Sequence, residues 1–565
     1  MAGLWEAKLR FGPDLRGPLL IERLPSPPTA SGAGGAAASG GWRAEVAGRE
    51  AEVQSAGDTL SFELPDGRGG FRGRFVAKRQ SIVGHFQHEN RYASPLTLTR
   101  MGKAEQWRGE VEPKDEEMTM YLRVEPRADG RMRAFIKNPE RNAGYFMRVS
   151  TLERSGKTVR LLGEPRNGKP AEVLSEGVYA DGVLSLPLRG GTYDLRRVAP
   201  GAASDFYPRS RPGVGASYRY ESPPALDDGW AVATPEEVGL SRDALERLVR
   251  WIVDMPIDSV SVPDIHAVLI ARHGKLVLEE YFHGENRDKP HDTRSASKSA
   301  ASVLFGAMVQ AGVPLTPQSR VYEVLNGGAL PAELDRRKAK ITAEHLLTMS
   351  SGLDANDSDD NSVGHEDRIQ ESGERNWWKI TYDLKMVREP GEKAVYASMQ
   401  PNLLGAVMRE AAGRRLTEAF HELVAEPLQI RRYWLNLQPL GDPYMGGGMR
   451  FLPRDFMKLG QLILGGGTWN GRRVVSAEWA KKSITPLQQM GSNKYGYLWW
   501  IREYPYQGRT IQAFYAGGNG GQVVMGIPEL DLLVATYGGN YVDPVMFQIQ
   551  RKLVPEYVIP AVAAR

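Results

Sequence analysis

The sequence contains no cysteine among its 565 residues, so it can form no disulfide, no cysteine nucleophile and no thiolate metal site. It has nine histidines, and none falls in an H-E-x-x-H spacing, which argues against a zinc hydrolase of that type. No apolar run approaches the roughly 20 residues that span a bilayer. The phosphate-binding motif G-x-x-x-x-G-K-[ST] and the G-x-S-x-G elbow of α/β-hydrolases are also missing. We therefore expect no metal, no cofactor and no integral membrane segment.

The chain also lacks a large excess of either positive or negative residues. The chain has 72 Lys+Arg and 68 Asp+Glu, a net charge of +4, without a block of single sign. This balance argues against a nucleic-acid partner. The first residues carry charges and lack the apolar stretch of a signal peptide, so a cytoplasmic location is expected for the sequence as written. A periplasmic or secreted location is expected if the chain is a trimmed mature form.

The length predicts at least two domains, because one globular domain rarely exceeds about 250 to 300 residues. Residues 1–200 contain short stretches of alternating polarity, such as 118–124 and 183–188, between turn signals such as Ala-Asp-Gly. This pattern predicts an all-β, barrel-like domain. The Gly- and Ala-rich residues 29–41 are expected to form a flexible loop, and the Pro-, Gly- and Ser-rich residues 201–227 a linker.

A weak internal repeat of about 100 residues runs through the β region. The surroundings of Trp5 resemble those of Trp107, and residues 96–100 resemble residues 193–197. The similarity indicates two related β halves. The alternative is that β proteins reuse the same few residue types, and the sequence leaves both explanations open.

Residues 228–565 have mixed periodicity. A helical pattern covers 242–253, two strand-like runs at 265–271 and 275–281 flank a tight turn, and helical stretches dominate from about 296 to 482. Strand-like runs return at 495–501, 521–526 and 531–536. Strands at both ends with helices between them predict an α+β domain, in which one antiparallel sheet lies beside a helical lobe.

The strongest chemical signal is Ser295-Ala-Ser-Lys298, an S-x-x-K at the start of a helix of small residues. One helical turn separates positions i and i+3, so the lysine ammonium is expected beside the serine hydroxyl. Serine needs a neighbouring base to act as a nucleophile, and lysine can serve when burial disfavours its charged form. The N–H groups at a helix N-terminus suit an oxyanion. Two fixed residues alone, however, also arise by chance.

Four further segments appear in a family-specific order. Residues 341–353 (ITAEHLLTMSSGL), 396–405 (YASMQPNLLG), 457–465 (MKLGQLILG) and 469–479 (WNGRRVVSAEW) follow Ser295. With the S-x-x-K they resemble the serine β-lactamase and penicillin-binding superfamily, especially its class C and family VIII carboxylesterase branch. The resemblance runs from about residue 228 to the C-terminus. It implies an α+β serine hydrolase with an acyl-enzyme on Ser295.

The resemblance also assigns roles to other residues. Tyr396 takes the place of the second catalytic group, which relays a proton beside Lys298. The family often has Y-x-N at this point, but the third residue here is Ser398, whose shorter side chain can still form a hydrogen bond. Ser398 is therefore a candidate substrate-binding residue.

A glycine-rich segment near the C-terminus resembles the family's [HK]-[ST]-G-x-G-G-Q region. Ala516 stands where relatives carry a cation, and Gly517, Gly518 and Asn519 follow it. Glycine lets a backbone approach the substrate closely, and the N–H near Asn519 is expected to complete an oxyanion hole with that of Ser295. Without the cation, neutral esters or amides are favoured over anionic substrates.

We therefore expect a serine esterase that cleaves small carboxylic esters by way of Ser295, Lys298 and Tyr396. An amide hydrolase, a D-amino-acid peptidase and a β-lactamase of the same fold are the enzymatic alternatives. A catalytically silent binding protein is the alternative from another class. The acidic segment 354–360 superficially resembles a calcium loop but has Asp359 where the loop needs glycine, so an acidic rim of the active site is the preferred interpretation.

Overall fold

A computed structural model describes residues 1–11, 15–24, 41–89, 91–102, 105–114, 117–165, 169–211 and 213–562. Residues 29–40 of the predicted flexible loop lie outside the described residues. The chain divides into two compact units made of non-contiguous segments. The first unit comprises Met1–Gly12, Asp115–Ala296 and Arg502–Arg565, and the second comprises Pro13–Lys114 and Ser297–Ile501. Each unit thus combines part of the β region with part of the predicted catalytic domain.

Alternating polarity in residues 1–200 produces short antiparallel strands, as the sequence predicts. In the described part of this region the strands are β1 (Gly3–Arg10), β2 (Gly17–Arg23), β3 (Trp42–Val46), β4 (Arg49–Ala56), β5 (Thr59–Glu63), β6 (Gly70–Val76), β7 (Ser81–His88), β8 (Tyr92–Arg100), β9 (Gln106–Val111), β10 (Glu117–Pro126), β11 (Met132–Lys137), β12 (Thr151–Ser155), β13 (Thr158–Leu162), β14 (Val173–Ala180), β15 (Val183–Leu188) and β16 (Gly191–Arg197).

These strands form two closed arrangements. The first barrel, in the first unit, has the order β1-β10-β11-β12-β13-β14-β15-β16, and β16 pairs back to β1. Its interior is apolar and includes Trp5, Leu122 and Tyr193. The second barrel, in the second unit, contains β2 to β9, and β9 pairs with both β2 and β8. The barrel-like prediction for residues 1–200 is confirmed, although the region contains two such sheets and not one.

The two barrels exchange their first strands. The sequence repeat pairs Trp5 with Trp107, and these residues lie on β1 and β9, the strands that begin each run of eight. A simple tandem arrangement would place β1 with β2–β8 and β9 with β10–β16. Instead, β1 pairs with β10 and β16, and β9 pairs with β2 and β8. The sequence repeat therefore has a structural counterpart in which each barrel contains one strand from the other half.

Beyond residue 200 the described part of the chain alternates short strands with helices. The strands are β17 (Ala231–Val232), β18 (Ile265–Arg272), β19 (Lys275–Tyr281), β20 (His291–Asp292), β21 (Tyr433–Asn436), β22 (Arg450–Phe451), β23 (Thr468–Trp469), β24 (Arg472–Arg473), β25 (Gln488–Met490), β26 (Asn493–Tyr495), β27 (Trp500–Tyr506), β28 (Arg509–Gly518), β29 (Gln522–Ile527) and β30 (Leu532–Gly538).

The helices of the described chain, including one in the β region, are mostly short. They are α1 (Ala143–Met147), α2 (Arg242–Val253), α3 (Lys298–Gln310), α4 (Val321–Val324), α5 (Ala343–Leu347), α6 (Glu366–Glu371), α7 (Trp377–Asp383), α8 (Met399–Ala412), α9 (Leu416–Phe420), α10 (Pro453–Leu464), α11 (Ala477–Ser483) and α12 (Met546–Gln548), with π-helical segments at His421–Ala425 and Ile549–Val558. None of these helices combines the length and apolarity that a membrane crossing needs.

The predicted α+β layout is confirmed. In the first unit the strands follow the order β17-β19-β18-β30-β29-β28-β27. Strand β18 pairs antiparallel with β30, so the two distant strand groups share one sheet as expected. Helix α2 has the predicted bounds and is capped by Ser241, whose side chain accepts from the Ala244 N–H. In the second unit β21 pairs with β8 of the second barrel, which joins that barrel to the helical region.

Two details differ from the sequence interpretation. The predicted strand at 495–501 is wrong, because β26 ends at Tyr495 and β27 begins at Trp500. Between them Leu498 has a φ of 59°, and the Gly496 N–H donates to the Trp499 carbonyl, so the chain turns. The predicted linker is also packed within the first unit and not separate from it: Tyr220 is buried, and its hydroxyl donates to the Val277 carbonyl at 2.7 Å.

Candidate active site

Lys298 begins α3 in the second unit and is almost completely buried, with 2% of its surface exposed. Every residue of α3 from Lys298 to Met308 is buried, because the helix is rich in alanine, serine and glycine and packs closely on all sides. A buried ammonium must be compensated by acceptors or opposite charges. The groups around Lys298 therefore define its chemistry.

Three groups surround the Lys298 ammonium. Its Nζ donates to the Ser398 hydroxyl oxygen at 2.9 Å and to the Gly446 carbonyl at 2.5 Å. It also lies 4.9 Å from the centroid of the Tyr396 ring. The structure thus brings together three of the predicted site residues, Lys298, Tyr396 and Ser398, within the second unit.

Ser398 connects Lys298 to a carboxylate. The Ser398 hydroxyl donates to Asp357 Oδ2 at 2.7 Å, and the Ser398 backbone N–H donates to the same oxygen at 2.6 Å. The Glu366 N–H donates to the other oxygen of Asp357 at 3.2 Å, and the Glu366 side chain accepts from the Tyr444 hydroxyl at 2.6 Å. Two acidic residues and one tyrosine therefore support the lysine indirectly.

These charges change the expected protonation of the lysine. Burial lowers the pKa of Lys298, but Tyr396, Glu366 and Asp357 together outweigh burial and hold the pKa above its usual value. From the sequence, burial is expected to disfavour the charged form of Lys298, so that the lysine can act as a base together with Tyr396. The surroundings instead stabilise its ammonium form.

Tyr396 directly precedes the α8 region and is partly exposed. Its ring stacks on the Trp500 ring at a centroid distance of 5.7 Å and an angle of 21°. Its backbone carbonyl accepts from the Asp357 N–H at 3.0 Å. Ring and backbone are thus both held, which orients the phenol beside the Lys298 ammonium.

Ser295 belongs to the first unit and lies in the 3₁₀ turn Arg294–Ser297. The Ala296 N–H donates to the Thr293 carbonyl at 3.0 Å and closes this turn. Arg294 has a φ of 48°, a left-handed conformation that is uncommon for a residue with a side chain. The turn presents a partly exposed Ser295 three residues before Lys298 in the chain.

The end of β28 approaches this turn closely, within the first unit. A Cβ atom placed on Gly518 would lie 2.4 Å from the Thr293 carbonyl oxygen and 3.0 Å from the Ala296 nitrogen. A side chain at Gly518 would therefore collide with the backbone on both sides of Ser295. Gly517 precedes it in β28 and pairs with Val523.

Asn519 follows Gly518 and is fixed on two sides. Its side-chain oxygen accepts from the Val542 N–H at 2.6 Å, and its backbone carbonyl accepts from Gln522 Nε2 at 3.2 Å. Gly517, Gly518 and Asn519 are thus held by strand pairing and hydrogen bonds, and Gly518 lies against the turn that carries Ser295.

Sequence reasoning missed Gly446 and Glu366, and it treated Asp357 only as part of an acidic rim. Gly446 lies in a run of three glycines, a visible signal of close backbone approach. Asp357 and Glu366 had no signal that sets them apart from other surface carboxylates. Across the described residues no cluster of three or more potential metal ligands has the geometry to hold an ion.

Part of the chain is similar to a known protein family. Residues 266–538 match the protein family described as Beta-lactamase. This part of the chain is β-lactamase-like. The match begins in β18 and ends with β30, so it includes Ser295, Lys298 and Tyr396.

The chain is also similar to individual proteins. A 6-aminohexanoate-dimer hydrolase from Paenarthrobacter ureafaciens is 24% identical over 223 residues, which cover 39% of this chain and 56% of that protein. The chain thus spans little more than half of that relative's length. A penicillin-binding protein homologue from Caulobacter crescentus is 17% identical at a TM-score of 0.42, covering 57% of this chain and 97% of that one. The hydrolase EstCE1, with promiscuous acyltransferase activity, is 17% identical at a TM-score of 0.40, with 50% and 92% coverage.

Proposed function

We propose that the protein is a serine hydrolase that forms an acyl-enzyme on Ser295. The observation that carries this proposal is the buried Lys298 ammonium, which lies beside the Tyr396 ring and donates to Ser398. A buried cation next to a phenol stabilises the phenolate, and a phenolate is a base strong enough to deprotonate a serine. The β-lactamase-like family match supports the same reaction class.

The proposed reaction has two steps. Tyr396 accepts the Ser295 proton while Ser295 Oγ bonds to the substrate carbonyl carbon, and the proton then passes to the leaving alcohol as its bond to that carbon breaks. In the second step water adds to the acyl-enzyme, gives its proton to Tyr396, and releases the acid as Ser295 recovers a proton. Lys298 remains protonated throughout and stabilises Tyr396 as a phenolate before each proton transfer to it and after each proton is passed on. The N–H groups of Ser295 and Asn519 are assigned to the developing oxyanion.

We propose small, neutral carboxylic esters as the substrates. Ala516 lies on β28, two residues before Gly518 and on the same face of the strand, and it is buried. Its methyl group offers no charge to a substrate carboxylate. Binding of a neutral acyl group does not depend on a cation at this position, whereas an anionic acyl group forms one charge-assisted hydrogen bond fewer without it.

A small linear amide is the second candidate substrate. It is favoured by the similarity of the chain to a 6-aminohexanoate-dimer hydrolase. The same acyl-enzyme chemistry serves both substrates, since only the leaving group differs. Esters remain the first choice because an alcohol leaves more easily than an amine, which requires full protonation. A β-lactamase or D-amino-acid peptidase is less favoured, because both act on substrates with a carboxylate.

Labelling with a fluorophosphonate probe tests the nucleophile. We expect mass spectrometry to find one adduct, on the peptide that contains Ser295, and Ser295→Ala to abolish both the adduct and turnover. Ser302→Ala is a matched control, because Ser302 is a buried serine of α3 just after the 3₁₀ turn Arg294–Ser297, called the catalytic turn below. An adduct on another serine, or none on the folded wild-type protein, would refute the proposal and favour a binding protein.

A small substrate panel tests the acyl preference. The panel consists of p-nitrophenyl butyrate, a linear p-nitroanilide with the same acyl group, and nitrocefin. Turnover of the ester alone supports the esterase proposal, while turnover of the anilide at a comparable rate supports the amide hydrolase. Efficient nitrocefin turnover would instead support a β-lactamase.

A further inference from the structure

A buried polar network in the first unit extends from the first barrel to the segment that carries Ser295. Its members are Lys137, Asp264, His266, His283 and His291, and each has 6% or less of its surface exposed. Burying so many polar and charged groups is costly unless they compensate one another. The mechanism proposed above uses none of them.

The network begins on the first barrel. Lys137 is the last residue of β11, and its Nζ lies 2.9 Å from Asp264 Oδ1. His283 Nε2 lies 3.3 Å from the same oxygen. Burial raises the pKa of Asp264, but Lys137 and His283 hold it well below its usual value, so the carboxylate is charged. Lys137 thus provides the cation that allows a charged Asp264 in the interior.

From Asp264 the network continues to the segment before Ser295. His266 Nε2 lies 3.7 Å from Asp264 Oδ2, and His266 Nδ1 lies 3.0 Å from His291 Nε2. His291 Nδ1 lies 3.2 Å from the Asp292 carbonyl. A carbonyl only accepts, so His291 donates from Nδ1 and accepts at Nε2. His266 then donates from Nδ1 to His291, and its Nε2 faces Asp264.

Asp292 connects the network to the catalytic turn. Its side chain accepts from the Arg294 N–H at 3.0 Å, immediately before Ser295. A second contact reaches the same place: Asn142, in the loop after β11, donates to the Tyr541 carbonyl at 2.8 Å, and the Arg294 guanidinium lies 4.8 Å from the Tyr541 ring. The first barrel is thus connected to Arg294, whose backbone is left-handed, by two routes: one through Asp264 and the histidines, and one through Tyr541.

We propose that Lys137 is a positioning residue for Ser295, acting through Asp264, His266 and His291. The first barrel is then part of the catalytic apparatus and more than an appended domain. This inference rests on the proposed function, because Ser295 is its target. Removal of the Lys137 cation leaves Asp264 buried and uncompensated, which shifts the histidine pair and loosens the turn.

The test combines kinetics with hydrogen exchange on the full chain. In Lys137→Met we expect kcat for p-nitrophenyl butyrate and the fluorophosphonate labelling rate to fall roughly 10- to 100-fold, the scale of a nucleophile displaced by about 1 Å. KM should change less than kcat. Lys137→Arg, which keeps the cation, should recover most of the rate. Lys157→Met removes an exposed lysine of the same barrel and should leave both rates unchanged.

Hydrogen exchange separates this inference from the proposed function. Amides of residues 291–296 should exchange faster in Lys137→Met than in the wild-type protein and the Lys157→Met control. Unchanged exchange in a folded Lys137→Met would overturn the inference, whether or not Ser295 is the nucleophile. Failure of the wild-type protein to label at Ser295 would overturn the proposed function. The exchange result would still show whether Lys137 affects residues 291–296. If Lys137→Met does not fold, the double variant Lys137→Met/Asp264→Asn removes both buried charges. Its exchange at residues 291–296 is then compared with that of the wild-type protein.

Discussion

The Lys298 ammonium donates to the Ser398 hydroxyl at 2.9 Å, although serine replaces the asparagine that is frequent at this position in the family. The shorter side chain still reaches the lysine because Ser398 is fixed by Asp357, which accepts from both its backbone N–H and its hydroxyl. A carboxylate thus supports the lysine through one intervening hydroxyl. This arrangement makes the protonation of Lys298 sensitive to a residue that it does not touch.

The first prediction concerns Asp357→Asn. The charge of Asp357 helps to raise the pKa of Lys298, so its removal should lower that pKa. If Lys298 acts as an ammonium, activity is lost as the pH rises through its pKa. The alkaline limb of the kcat/KM profile should therefore move to lower pH. Asp360→Asn, in the same loop and fully exposed, should leave the limb in place. A shift of the alkaline limb to higher pH would contradict this assignment.

The second prediction treats Lys298 and Tyr396 as one unit. Lys298→Met and Tyr396→Phe should each reduce kcat/KM by about 10² to 10⁴, the range of positioned acid–base catalysis. The double variant should lose little more than the worse single variant, since neither group works without the other. Lys340→Met and Tyr382→Phe are controls outside the site. If the two losses in kcat/KM multiply in the double variant, Lys298 and Tyr396 act independently.

The third prediction concerns Gly518. Alanine at this position would place its Cβ 2.4 Å from the Thr293 carbonyl, so the strand end or the catalytic turn must shift. We expect Gly518→Ala to fold but to label at Ser295 at least tenfold more slowly, since displacements of this size strongly affect catalysis. At Gly163 the nearest atom is 3.4 Å from an added Cβ, so Gly163→Ala is the matched control. A normal labelling rate in Gly518→Ala would remove this strand end from the site.

The fourth prediction concerns substrate charge. With Ala516 in place of a cation, an acyl group that ends in a carboxylate should bind more weakly than its neutral counterpart. A charge-assisted hydrogen bond is worth roughly 1.5 to 3 kcal/mol, which corresponds to about 10- to 100-fold in KM. Kinetics with p-nitrophenyl butyrate and the monoanionic p-nitrophenyl succinate measure the difference directly. Equal KM values would mean that another cation serves the carboxylate.

The fifth prediction concerns stability at low pH. Burial and the neighbouring His421 lower the pKa of His85 in the second barrel to about 3. Burial lowers that of His88 to about 4. Below the usual value of 6.5 the unfolded chain binds protons that the folded chain does not, so stability falls as the pH decreases. Between pH 6.5 and pH 5 each histidine should lower the free energy of unfolding by about 2 kcal/mol, since one pH unit corresponds to about 1.4 kcal/mol.

Urea unfolding at pH 7, 6 and 5 tests this dependence. The midpoint should fall with pH in the wild-type protein and less steeply in His85→Gln, whose amide can still bond to Tyr433. His273→Gln changes a largely exposed histidine and should follow the wild-type protein. A midpoint in His85→Gln that falls as steeply as in the wild-type protein would show that His85 does not titrate on unfolding.

Local patterns in the sequence were sufficient for several elements. Helix α2 has its predicted bounds because its signals are local. Ser241 caps its first turn, and an apolar stripe continues along the following residues. The turn between β18 and β19 follows from His273 and Gly274, which both adopt positive φ. The S-x-x-K identified Ser295 and Lys298, and the family resemblance added Tyr396 and Ser398. Each of these signals is a short-range spacing or a recognisable motif.

Only the tertiary structure decided which distant residues meet. Asp357 and Gly446 reach the Lys298 environment from 59 and 148 positions away, and Lys137 meets Asp264 across 127 positions. The exchange of β1 and β9 between the barrels depends in the same way on pairing over about 100 residues. Periodicity predicts that a strand exists, but many partners satisfy the same alternating pattern. Strand register, buried charge pairs and the protonation of Lys298 therefore depend on which distant residues pack together. Local sequence patterns do not show this.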